Sequence, residues 1–131
     1  DVSIAKGGLD AAVRNGDSLY VELADAARGA IELSARRDAT LARLKWAKAT
    51  IEKAAGGDVD ASGVATALAS AEKRLDASKA TYDSAMAAYA ACVTDAAARA
   101  AVVAAELDAI VVDATAPALE LARKAGLPGP P

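Results

Sequence analysis

The residues best suited to chemistry in this chain fall in one short stretch, Asp58-Val59-Asp60-Ala61-Ser62-Gly63. Side-chain oxygens recur there at every second position and a glycine closes the run. That is the pattern of the first half of a calcium loop, in which alternate oxygens enter the coordination shell and glycine makes the sharp turn. Asp58, Asp60 and Ser62 are therefore the candidate metal ligands. A loop of this kind ends in a bidentate carboxylate at its twelfth position, and here that position is Ala69. Two ligand oxygens and one charge are missing. A simpler account covers the same residues: Gly56-Gly57 stops one helix and an aspartate caps the next. We prefer it, and a calcium-responsive protein is the minor alternative.

The rest of the inventory argues against catalysis. There is no histidine, so the usual general base, Ser-His and Cys-His pairs and the Glu-x-x-His ligand sets of helical bundles have no material to work with. No phosphate-cradling glycine loop and no nucleophile-elbow motif occurs. The expectation is a protein that is not an enzyme and takes no cofactor. Cys92 is the single cysteine, which excludes an intramolecular disulfide. It falls on a row of small residues in an apolar seam, where a small buried hydrophobe is expected.

The elements that carry these residues are helices. From Val64 to Ala116 the chain runs without Gly or Pro, and alanine, the strongest helix former, supplies 39 of its 131 residues. A seven-residue row reads Leu68, Leu75, Tyr82, Tyr89, Ala96, Val103, Ile110, with Ala71, Ser78, Ala85 and Cys92 three residues after the first four. This predicts a coiled-coil-like seam of bulky and small knobs. After Cys92 the second row meets Arg99 and Glu106 while the neighbouring row turns apolar at Ala100 and Leu107, as in a helix whose stripe drifts. Thr94-Asp95 is the expected place for a kink or a fresh cap.

Before it, a helix from Asp17 to about Ala55 places Tyr20, Leu23, Ala24, Ala27, Ile31, Leu41, Leu44, Ala47 and Ile51 at three- and four-residue spacing, with Gly29 weakening it and Arg37 on its seam. Trp46 lies off the stripe, as a local core anchor or an interface anchor. The short connection at 56–60 folds the two long helices back on each other, with Leu41 near Leu75 and Tyr20 near Ala96. The predicted fold is thus all-α: an elongated antiparallel helical hairpin of two long Ala-rich helices with short terminal helices. Its parts are an N-terminal arm (1–16) with a Gly7-Gly8 hinge and a stop at Asn15-Gly16, the hairpin (17–116), and a short helix with a proline-rich tail (117–131).

Charge and hydropathy limit the partners. A net charge of −3 disfavours general nucleic-acid binding. No uncharged run is longer than that from Ser84 to Thr94, which is far short of the ~20 residues that span a membrane. The first residues carry no basic segment followed by an apolar stretch of the secretory kind. Cations cluster toward the 56–60 turn, whereas Arg99 is the single cation between Asp83 and Glu120. Ordinary ion pairs such as Glu32 with Arg36 and Asp95 with Arg99 explain this, and head-to-tail docking is the functional alternative.

A two-helix hairpin with few large side chains needs partners to bury its stripes. The function expected is therefore structural: docking on copies of itself or on a larger assembly, such as a bacteriophage capsid, connector or tail or another shell. The expected location is the cytoplasm or such an assembly. A regulatory or chaperone-like module binding one partner helix along its seam is the alternative. Beyond about Ala98 the second helix outruns the first. This places the partner interface on Val103, Leu107, Ile110 and Val111 with Leu127 and Pro128 of the tail, and a secondary contact on Ile4, Leu9 and Trp46.

Overall fold

The computed structural model describes the backbone of residues 2–131 and the side chains of residues 19–131. Three helices form, α1 (Val2–Ala54), α2 (Ser62–Ala90) and α3 (Ala96–Ala125), and each packs on both others. No strand occurs among the described residues. Gly29 lies against Tyr89 and Arg37 against Tyr82, so α1 and α2 are antiparallel. Arg74 reaches both Glu106 and Asp113, while Ser78 and Thr81 share a groove with Val102 and Val103, so α2 and α3 are antiparallel too. Ala26 beside Ala96 and Arg36 bonded to Asp108 make α1 and α3 parallel.

The expected single helix from Val64 to Ala116 is therefore two. α2 ends in a left-handed residue, Cys92, at φ 52°. The Cys92 N–H donates to the Tyr89 carbonyl at 3.1 Å and the Val93 N–H to the Ala88 carbonyl at 2.9 Å, the paired bonds of a Schellman stop. Glycine normally supplies this conformation, which is why no stop signal is visible in the sequence. Thr94-Asp95 is the right place, but the chain reverses there instead of kinking. The apparent drift of the apolar row after Cys92 is a change of phase between two helices: α3 restarts with Ala96, Ala100, Val103, Leu107, Ile110 and Ala114 buried at alternating four- and three-residue steps. Cys92 itself is exposed, not buried as expected.

On α2 the buried row is the expected one, Leu68, Ala71, Leu75, Ser78 and Ala85, with Tyr82 and Tyr89 packed against it. On α1 the predicted stripe is rotated. Leu44, Ala47 and Ile51 face the core, Arg37 sits on its row, but Tyr20, Leu23, Ile31 and Leu41 are exposed, and Leu33 and Thr40 are buried in their place. Thr40 is admitted because its hydroxyl donates to the Arg36 carbonyl at 2.9 Å, and Thr50 does the same to Trp46. A threonine bonded to its own helix behaves as a small apolar residue.

Both terminal segments differ from expectation. α1 is helical from Val2, so neither Gly7-Gly8 nor Asn15-Gly16 ends it; the side chains of Ile4 and Leu9 lie outside the described residues. α3 continues through Pro117 to Ala125, and Thr115 is buried within it instead of capping a new helix. The stops at Gly56 (φ 85°) and Gly126 (φ 67°) fall where the sequence puts them.

Candidate functional site

The Asp58–Ser62 stretch forms the α1–α2 connection. Gly57 N–H closes α1 onto the Ala54 carbonyl at 3.2 Å, and Asp60 Oδ1 accepts the Ser62 N–H at 2.9 Å. The N-cap position of α2 is Ala61, not an aspartate, and it offers no capping side chain; Asp60, one residue before it, satisfies the first free amide of the helix instead. That backbone hydrogen bond favours the charged form and holds the Asp60 carboxyl below its ordinary value. Asp58 is exposed. Among the described residues, no three His, Cys, Asp or Glu side chains come together as a metal-binding group.

The expected partner interface is taken up inside the chain. Val103, Leu107 and Ile110 are among the most deeply buried side chains, packed with Leu33, Leu44, Leu68 and Leu75. They appeared unmatched only because the reversal at residues 91–95 was not visible: folded back, α3 lies beside both other helices along its length. Val111 is half-buried and lines a groove with Ala35 and Ala39 of α1. Leu127 is half-buried against Ala116 and Leu119, so the tail folds back onto α3, with Pro128 exposed. Trp46 packs partly buried against the core and is a core anchor.

Charge is likewise matched across helices. Arg36 Nη1 meets Asp108 at 2.6 Å, Arg74 Nε meets Glu106 at 3.0 Å, and the other arm of Arg74 meets Asp113. The hydrogen bond to Glu106, and after it the one to Asp113, push the Arg74 guanidinium further above its already high range. Asp95 pairs with Arg99 at 3.1 Å as expected, while Arg36 reaches α3 instead of Glu32. The acidic flank of α3 is thus answered by cations of α1 and α2 in the same chain. Each such exposed pair contributes little stability, but together they fix which faces of the helices meet. Sequence spacing along one helix could not reveal these pairs.

Among the described residues one face is left largely without an intrachain match. The α2–α3 reversal lies alongside Glu22, Asp25 and Ala26 of α1. Just N-terminal of this level, Leu19, Tyr20, Val21 and Leu23 are each more than half exposed, and Glu22 between them is exposed as well. Five consecutive helical residues at about 100° per residue cover the whole circumference. α1 is therefore largely uncovered by the described residues at this point: Glu22 lines the groove beside the reversal, and the other four side chains are large and apolar. Among the described residues no helix is long and apolar enough to cross a membrane.

Compared with protein-family models, with curated proteins and with solved structures, the chain has no match.

Proposed function

We propose that this chain is a non-enzymatic structural protein that docks through its helices on copies of itself or on a larger assembly, a virion component or other shell being the class it suits. The supporting observation is the segment Leu19–Leu23, whose apolar side chains are each more than half exposed. Exposed apolar clusters of this size on a soluble chain mark contact surfaces. The buried rows of α1, α2 and α3 step by threes and fours, so we read the bundle as a coiled-coil-like support that presents this segment. The module that grips a partner helix along its seam is less favoured, because α3 already fills that seam.

The test is affinity capture by the tagged chain from its native host, with Leu19→Asp/Leu23→Asp as the comparison. The parent is expected to retain components of a large assembly that the variant loses, with thermal melting unchanged since neither side chain supports the bundle. Equal capture by both would refute the role of this segment.

A further inference from the structure

α3 differs from the other two helices in being apolar on the side that faces away from the core. Val102, Ala105, Ala109, Val112, Ala116 and Leu119 step by three and four residues for some 25 Å along it. Val112 lies two residues beyond the buried Ile110 and Ala105 two before the buried Leu107, about 200° round the helix in each case. Val102, which also borders the groove toward α2, is 66% exposed, Val112 62%, and Leu119, beside Leu127 of the tail, 43%. On a bundle helix this side is ordinarily the most polar, and a helix apolar on both sides belongs in an interior.

We propose that this face pairs with the same face of a second copy, the two α3 helices running antiparallel about a two-fold axis between Ala109 and Val112. Side-chain size and charge select this occupant. Antiparallel pairing sets Val102 opposite Leu119 of the second copy, Ala105 opposite Ala116 and Ala109 opposite Val112, so bulk at both ends flanks a close small-residue centre. A two-fold interface brings like flanks together. On the α2 side of the stripe this sets Arg99 opposite Glu120 and Asp95 opposite Lys124, so that the intrachain Asp95–Arg99 pair of one copy meets the Glu120–Lys124 pair of the other in complementary order. The same register opposes Glu106 and Asp113 of the two copies, but Arg74 is bonded to both acids in each chain and offsets half of their charge. A parallel pairing would instead set each Val, Ala and Leu of the stripe against its own copy and lose the Arg99–Glu120 and Asp95–Lys124 contacts.

This inference goes beyond the reading of the exposed α1 segment and uses a different surface. Sedimentation of the 13.0 kDa chain across a concentration series is expected to give twice that mass. Val112→Asp should raise the dissociation constant at least tenfold with helicity and melting of the bundle intact, because the side chain points away from the core. Arrangement is read by disulfide trapping in a Cys92→Ser background: Ala109→Cys should cross-link to itself under mild oxidation, whereas Val102→Cys, far from the axis, should not. A monomer at every concentration overturns the proposal, as does a dimer that survives Val112→Asp or in which Val102→Cys self-links efficiently. Leu19→Asp/Leu23→Asp should leave the dimer intact; loss of the dimer through that change would move the self-contact to α1.

Discussion

Replacing Gly29 by alanine should destabilise the protein although it improves the helix. Glycine in a helix interior costs about 1 kcal/mol relative to alanine, so the change would be favourable on an isolated α1. In the folded chain a Cβ on residue 29 would stand 2.5 Å from Cε1 and Cζ of Tyr89 and 2.7 Å from its hydroxyl oxygen. The ring must move. Tyr89 is packed against the core at the end of α2, and swinging its ring outward gives up that contact. Overpacking of this kind costs about 1–3 kcal/mol, enough to cancel the propensity gain and leave a net loss of up to about 2 kcal/mol. The measurement is a double-mutant cycle by chemical denaturation. In a Tyr89→Ala background the clash is gone, and Gly29→Ala should stabilise by about 1 kcal/mol. If Gly29→Ala stabilises the parent as much as the Tyr89→Ala variant, the close approach of ring and backbone does not exist in solution and the α1–α2 register given above is wrong.

Three further outcomes are expected. Cys92→Gly should raise stability by about 1 kcal/mol, since glycine takes a left-handed stop without strain; an unchanged melting temperature would count against the Schellman geometry. Arg37 stacks over Tyr82 at 4.9 Å, with Nη1 buried and without a hydrogen-bond partner among the described residues; an unpaired buried donor costs about 1–3 kcal/mol and the stacking returns about 0.5–1 kcal/mol, so Arg37→Met should stabilise, and a loss on denaturation would mean that the guanidinium is satisfied. Asp60 titrates below its ordinary value because the Ser62 amide favours its anion. Its contribution is thus fully present above the unfolded carboxylate range and disappears as pH falls through the lower folded value. Asp60→Asn should flatten the acid limb of the stability curve, and a parallel curve would exclude Asp60 from it.

What could be read in the sequence was the part governed by local rules. The glycine stops at Gly56 and Gly126 and the buried row Leu68–Tyr89 follow from helix periodicity and cap chemistry, which need only neighbouring residues. The α2–α3 reversal escaped because its left-handed position carries cysteine, and with it went the third helix and the true location of Val103, Leu107 and Ile110. The face of α1 was ambiguous for a different reason. Three- and four-residue steps fit both Leu41 and Thr40, and the choice rests on a hydroxyl bonding its own helix and on what α3 offers opposite, neither of which is local. The exposed segment at Leu19–Leu23 was legible as apolar but not as uncovered. Whether a side chain is covered depends on where the other helices end.

The small side chains of the interior set how this protein can change over generations. Ala47, Ala85 and Ala118 are fully enclosed, and Ala71 and Ala114 nearly so. In an ordinary core the leucines are the guarded positions, because shortening them leaves a hole. Here a leucine such as Leu44 or Leu75 has aliphatic substitutes that keep its volume, whereas an enclosed alanine has only glycine below it, at the expense of the helix, and nothing above it that fits. A saturation library screened for folding should show its deepest depletion at the alanines. Lineages descended from this chain would then diverge mainly in their large residues while the positions of the small ones stand still.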